Sequence, residues 1–302
     1  MAGKQRIYKQ KIRATGTLEK VFRAMELIAA SRIGKARDAA LGQDPYTRAL
    51  TASIATVAAH AQAEHPLVTE RKDTNRVIVF VVTSDRGMAG AYSSSVLREA
   101  DQLLEDLREQ GKEPVLCVSG RRGDAHFRFH GVPVERSWVG ESDKPTDATS
   151  REIAHLFLDL FLAPADAGGV SELHVVSTKF VSMVSQVVEI RRMLPLEVVD
   201  APGHQPDLAQ EAEDSTPLYE FEPSAQEVFD ALLPMYIGQR VHSVMLMSAA
   251  AELAARQQAM HSATDNAHEL IEKYTRLANN ARQAEITTEI TEIISGADAL
   301  GK

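Results

Sequence analysis

QRVHSVMLMSAAAELAARQQAMHSATDNAHELIEKYTRLANNARQAEITTEITEIIS, residues 239–295, runs for 57 residues between Gly238 and Gly296 without a glycine or proline. The stretch is rich in Ala, Leu, Glu, Gln and Arg, all strong helix formers, and so predicts one continuous α-helix. At about 1.5 Å per residue that helix is roughly 85 Å long, well over twice the width of a small domain. Such a helix is expected to project as a shaft with a mechanical or spacing role.

A second helix of the same character opens the chain. From Met1 to Asp44 there is no proline, and Leu18, Phe22, Met25, Ala29, Ala36 and Ala40 recur at steps of three, four or seven. That spacing places them on one helical stripe. The C-terminal helix carries a similar seam: Val241, Val244, Ser248, Ala251 and Ala255, then Leu270, Tyr274, Leu277, Ala281, Ala284, Thr288 and Thr291. Stripes at the two ends of one chain can bury each other as a coiled coil, and small residues permit close packing.

Between them the pattern changes to α/β. Arg76–Asp85 opens on a run of β-branched residues suited to a buried parallel strand. Helices are predicted over Ser93–Gln110 and Asp147–Leu162, and strands over Pro114–Ser119 and Glu172–Phe180. Strands alternating with helices imply a small open sheet with helices on its faces. The expected fold is α/β, a long antiparallel coiled coil of the N- and C-terminal helices with an inserted Rossmann-like domain. Its segments are a coiled-coil helix over 1–60, the α/β domain over 75–200, an acidic linker and foot over 201–222, and the C-terminal coiled-coil helix over 223–302.

Composition narrows the function. The chain has 302 residues, a net charge of −9 and one cysteine. A disulfide framework is therefore excluded, and a reducing compartment fits. Its longest apolar run, Val77–Val82, has six residues, so neither a signal segment nor a membrane span is expected. Charge is unevenly spread: residues 1–37 carry ten Lys or Arg against two Glu, whereas 197–230 carry ten acids and no base. A basic helix suits nucleic acid, an anionic membrane or an acidic protein surface. Nucleic acid is the weakest of these, since no aromatic or zinc-finger elements accompany the charge.

Chemistry-bearing motifs are few. Ser84–Tyr92 leads through Gly87 and Gly90 from a strand into a helix, where phosphate can bind. It matches neither the dinucleotide fingerprint nor the phosphate loop with its lysine, and a tight turn explains the glycines. His126 and His130, near Asp124, have i, i+4 spacing but no third ligand in register. Cys117 lies in an apolar strand without a basic neighbour to activate it. Glu289 and Glu292 share a helix turn without a pocket around them. No catalytic constellation, metal site or cofactor is expected.

The segment Ala281–Leu300 (ARQAEITTEITEIISGADAL) resembles the signature of the gamma subunit of F-type ATP synthases, through Ile286, Thr287, Glu289, Glu292, Gly296, Ala297 and Ala299. Phe22–Arg37, Ala263–Ala267 and Thr83–Gly87 are similar to other motifs of that family, so the resemblance spans the chain. It implies a non-catalytic shaft turning inside a ring of three alpha and three beta subunits. The inserted domain would rest on the membrane rotor ring (the c-ring) beside the epsilon subunit. Proton-driven rotation would then drive ATP formation in beta. The resemblance further implies a peripheral location on the cytoplasmic face of a bacterial plasma membrane, and no nucleic acid partner.

The resemblance also implies roles for residues. Arg282 and Gln283 would engage a catch loop of beta. Met25, Thr287, Glu289 and Glu292 would serve coupling, with Arg23, Arg32, Lys35 and Arg37 forming a basic face toward beta. Ile293, Ile294 and Leu300 would lie in an apolar bearing at the tip, and Tyr219, Phe221 and Glu222 would form the foot on the rotor ring. Some positions depart from the family: Lys20-Val-Phe-Arg23 replaces a hydroxyl-bearing run, Met88–Ala91 replaces Leu-Cys-Gly-Gly, and Phe221 stands where tyrosine is common. Two other readings compete: an adaptor with a nucleotide-binding domain resting on Gly87 and Gly90, and a small α/β enzyme.

Overall fold

The computed structural model describes residues 2–61, 69–196 and 221–300. Its elements run α1 (Ala2–Gly42), α2 (Asp44–Ala61), β1 (Arg76–Val82), α3 (Tyr92–Glu109), β2 (Glu113–Ser119), α4 (Arg121–Phe129), β3 (Arg136–Trp138), α5 (Asp147–Leu162), β4 (Glu172–Phe180), β5 (Gln186–Leu194) and α6 (Ala225–Leu300). The chain divides into two compact units. One comprises Met1–Arg32 with Arg256–Lys302, and the other Ile33–Ala255.

The larger unit is built on a five-stranded sheet of order β3-β2-β1-β4-β5. β1 pairs in parallel with β2 and β4, β2 with β3, and only β5 runs antiparallel, as a hairpin with β4. Because strand side chains alternate, β1 feeds two cores. Val77, Val79 and Val81 meet Val96, Ala100, Leu104 and Phe127 of α3 and α4 on one face. Ile78, Phe80 and Val82 meet Ile153, Phe157 and Phe161 of α5 on the other, with Phe229, Leu233 and Ile237 of α6. β1 is thus covered on both sides, which is why its sequence reads as an unbroken apolar run.

Helix ends follow local chemistry. The Thr146 hydroxyl accepts the Thr149 N–H at 3.2 Å and caps α5. α3 stops at Gly111, whose φ of +76° allows Lys112 N–H to return to Leu107 O at 2.9 Å.

One expectation about the helices needs correcting. Residues 1–60 hold two helices rather than one, broken at Gln43. α2 lays Ile54 and Val57 into the same core as α5. α6 spans Ala225–Leu300, against 223–302 expected for the C-terminal helix, and passes through Pro234 and Gly238 before the proline-free stretch. A helix-interior proline costs about 3 kcal/mol. Phe229, Leu233 and Ile237 on the same turns are almost fully buried, and each contributes about 1.5–3 kcal/mol, which offsets that cost. β3 and β5, neither expected, complete the sheet. α5 and β4 match the residues predicted for them.

Candidate functional site

The smaller unit consists of α1 over residues 2–32 and α6 over 256–300. Along α1 the less exposed positions include Tyr8, Ile12, Thr15, Glu19, Phe22, Glu26 and Ala29, in alternating steps of four and three. Along α6 they include Met260, Thr264, Ala267, Ile271, Tyr274, Ala278, Ala281, Glu285 and Thr288, with the same alternation. An average step of 3.5 is the coiled-coil repeat.

Four cross-helix relations fix the direction. Tyr8 stacks near Tyr274 with ring centroids 6.4 Å apart. Gly16 lies opposite Ile271, Glu19 lies 3.6 Å from His268, and Glu26 lies 3.1 Å from His261. Numbers rise along α1 while they fall along α6, so the pair is antiparallel. Lys11 places its ammonium 5.3 Å from the Tyr274 ring and adds a cation–π contact.

The seam differs from the stripe expected from apolar residues alone. Leu18 is exposed and Glu19 takes the inward seat; Leu270 and Ala284 are exposed, and Ile271 and Glu285 face inward. Carboxylates thus occupy positions usually held by apolar residues, and Glu26 Oε2 is buried without a hydrogen-bond partner. Such a seam is only weakly cohesive.

Leu18, Val21, Met25 and Ile28 form a second stripe on α1, again in steps of three and four. Leu18, Val21 and Ile28 are about half exposed, at 51%, 47% and 53%, and Met25 is half-buried. α6 has a counterpart in the exposed Ile286, Ile290, Ile293 and Ile294. Arg23, Arg32, Arg282, Gln283, Thr287, Glu289 and Glu292 are also exposed. The Thr287 hydroxyl donates back to Gln283 O at 2.9 Å. Leu300 ends α6.

Not every anticipated residue falls in this unit. Lys35 and Arg37 are exposed on α1 in the larger unit, where Arg37 lies 3.2 Å from Asp38. Phe221 packs partly against the sheet core and Glu222 is exposed. Tyr219 and most of the acidic stretch over 201–222 lie outside the described residues.

The Ser84–Tyr92 turn has a different chemistry from a phosphate loop. Asp85 follows β1, and its carboxylate accepts N–H bonds from Arg121 at 3.1 Å, Gly140 at 2.8 Å and Ser142 at 2.9 Å. These donors outweigh burial and hold its carboxyl below the ordinary range. An internal anion thereby occupies the start of α4 and ties it to the loop after β3. Ser84 and Ser93 hydroxyls bond each other at 2.7 Å and join the turn to α3.

The remaining reactive side chains are committed elsewhere. His126 pairs with Asp101 at 3.0 Å, His130 Nδ1 lies 2.8 Å from His126 O, and Asp124 binds Arg128 at 2.9 Å. Burial pushes the Cys117 thiol up to about 12, which suppresses the thiolate. Among the described residues no cluster could hold a metal, and no helix is long and apolar enough to cross a membrane.

The structure is thus that of an α/β protein whose first and last helices pair and whose sheet domain is inserted between them in the sequence. The chain belongs to the ATP synthase gamma-chain family. The ATP synthase family profile matches residues 4–300. The gamma chain of Beutenbergia cavernae is 57% identical over 300 residues, covering 99% of both chains. That of an Arthrobacter species is 51% identical, again over 99% of both. The fold is similar to a chain of the Euglena gracilis mitochondrial ATP synthase, with TM-score 0.65 at 14% identity, covering 99% of this chain and 95% of that one. A chain of the Tetrahymena thermophila central stalk and c-ring gives TM-score 0.59 at 20% identity, covering 80% of this chain and 99% of that one.

Proposed function

We propose that this chain is the rotating central-stalk subunit of a proton-translocating F-type ATP synthase. It couples rotation of the membrane ring to ATP synthesis, or hydrolysis, in a ring of three alpha and three beta subunits. The observation that carries this reading is the outward stripe of Leu18, Val21, Met25 and Ile28. It lies on a helix that already uses another face to pair with α6. An apolar stripe left over after pairing calls for a protein neighbour. Family membership supplies which neighbour.

Three equivalent beta subunits around one asymmetric stalk each meet a different side of it. Contacts that favour one beta conformation over another shift its equilibrium by their differential binding energy, and turning the stalk moves that bias to the next subunit. Ile293 and Ile294, with Leu300, suit a bearing because apolar contact is non-directional and does not lock one angle. Arg282 and Gln283 provide polar, directional contacts for a catch loop of beta. Thr287, Glu289, Glu292 and Met25 then serve coupling. Arg23, Arg32, Lys35 and Arg37 offer positive charge to an acidic segment of beta. Tyr219, Phe221 and Glu222, beside the epsilon subunit, form the foot on the c-ring. Location is peripheral, on the cytoplasmic face of the plasma membrane, through the complex.

Reconstitution tests the proposal. The purified chain is expected to show no ATPase activity alone and to form a single stoichiometric complex with alpha and beta subunits. Failure to join them overturns it.

A further inference from the structure

In the larger unit a cavity of about 370 Å³ opens between β4, β5 and α6. Arg191 of β5 and Arg240 of α6 line it, with Tyr236, Ser177 and an apolar floor that includes Val175. Strand side chains alternate, so Arg191, opposite Val175, shares the face of this cavity, whereas Arg192, opposite His174, turns to the other face of the sheet. The Arg240 guanidinium stands 5.9 Å from the Tyr236 ring centroid, which orients its donor edge. Glu189 holds Arg191 at 2.7 Å and lies 3.5 Å from Lys179, and Glu70 stands 3.9 Å from Arg192. Arg191 and Arg240 outnumber Glu189 at this wall.

We propose that this cavity binds a phosphate group, held by Arg191 and Arg240. Arginine suits phosphate because its planar fork gives paired, charge-assisted bonds to the oxygens. The volume fits a small ligand rather than a peptide strand. Tyr236 and the apolar floor would receive whatever carries the phosphate, either a soluble phosphoryl compound or the headgroup of an anionic lipid. The site lies wholly within the larger unit and does not depend on the rotor reading.

Calorimetric titration of the full chain with inorganic pyrophosphate is expected to show saturable, salt-sensitive binding. Arg191→Gln combined with Arg240→Gln is expected to weaken it about tenfold or more. Co-sedimentation with phosphatidylglycerol vesicles, against phosphatidylcholine vesicles, distinguishes the sources. Pyrophosphate binding without vesicle binding assigns a soluble ligand, and vesicle binding lost in the double variant assigns a lipid. Absence of both in folded wild-type chain, or equal binding by the variant, overturns the proposal. A measurement on the unmodified chain guards against a misfolded variant. Pyrophosphate, or the vesicles where they are the binder, should shield Arg240 from phenylglyoxal, and lack of shielding also overturns the assignment.

Discussion

Glu26 on α1 meets His261 on α6 at 3.1 Å, and one heptad away in each helix Glu19 faces His268 at 3.6 Å. Each imidazole has a second acid on its own helix, Asp265 at 3.6 Å and Glu272 at 3.5 Å. The histidine side chains are largely exposed, at 61% and 66%, so these pairs set register more than they add stability. The carboxylate of Glu26 is the costlier feature, since its Oε2 is buried and unbonded.

Replacing Glu26 with Leu is therefore expected to stabilise the helix pair by about 1 kcal/mol, by removing a desolvated polar atom from an inward seat. Thermal melting followed by circular dichroism checks this. A lower transition would show that Glu26 does not occupy the seam.

Gly120 has φ +98°, and a Cβ there would fall 2.2 Å from the carbonyl oxygen of Thr83. Thr83 cannot retreat, because its hydroxyl accepts Gly123 N–H at 2.9 Å and donates to Ser119 O at 2.9 Å. Gly120→Ala is expected to cost about 3 kcal/mol through overlap and backbone strain. Denaturant unfolding of the full chain measures it.

His242 is buried between α5 and α6, where its Nδ1 lies 2.8 Å from the Ser150 hydroxyl. Burial lowers its pKa from the ordinary 6.5, with Asp147 acting weakly the other way. The unfolded chain then binds a proton at higher pH than the folded one, so stability falls as pH drops below about 6.5. His174, lowered chiefly by burial against the pull of Glu172, acts in the same sense. His242→Gln is expected to reduce, but not abolish, the slope of stability against pH between about 6.5 and 5. An unchanged slope would deny His242 a share of that loss.

Met25→Lys adds a cation to the outward stripe without touching the Glu26–His261 pairing. Helix content of the isolated chain is expected to stay near wild type, while ATP-driven proton pumping by the reconstituted complex falls. Circular dichroism and a pumping assay separate the two effects. A large loss of helix would place Met25 in the packing of the pair instead.

The central domain was legible because its cores obey simple periodicities. α5 and β4 are bounded as read, since Ile153, Phe157 and Phe161 recur at four and Thr146 supplies a cap. β5 escaped because Glu189, Arg191 and Arg192 interrupt its apolar residues, which an edge strand tolerates and a central strand does not. α6 runs through Pro234 without ending there, a local penalty that burial offsets. The helix pair was legible as a pair, but its register was not. Counting apolar residues selects Leu18 and Leu270, whereas the 3.5-residue repeat selects Glu19 and Ile271. The Asp85 lock was beyond reach from sequence, because its partners lie at the start of α4 and on the loop after β3, remote in the chain.

A pair of helices whose seam mixes threonine, alanine and glutamate with a few large apolar side chains has little cohesion in reserve. Any protein that grips the paired form and ignores the separated strands will raise its melting temperature in proportion to the logarithm of its own concentration. Rigidity of this axle is then something its housing confers, so torque can be passed only where the surrounding subunits are in place.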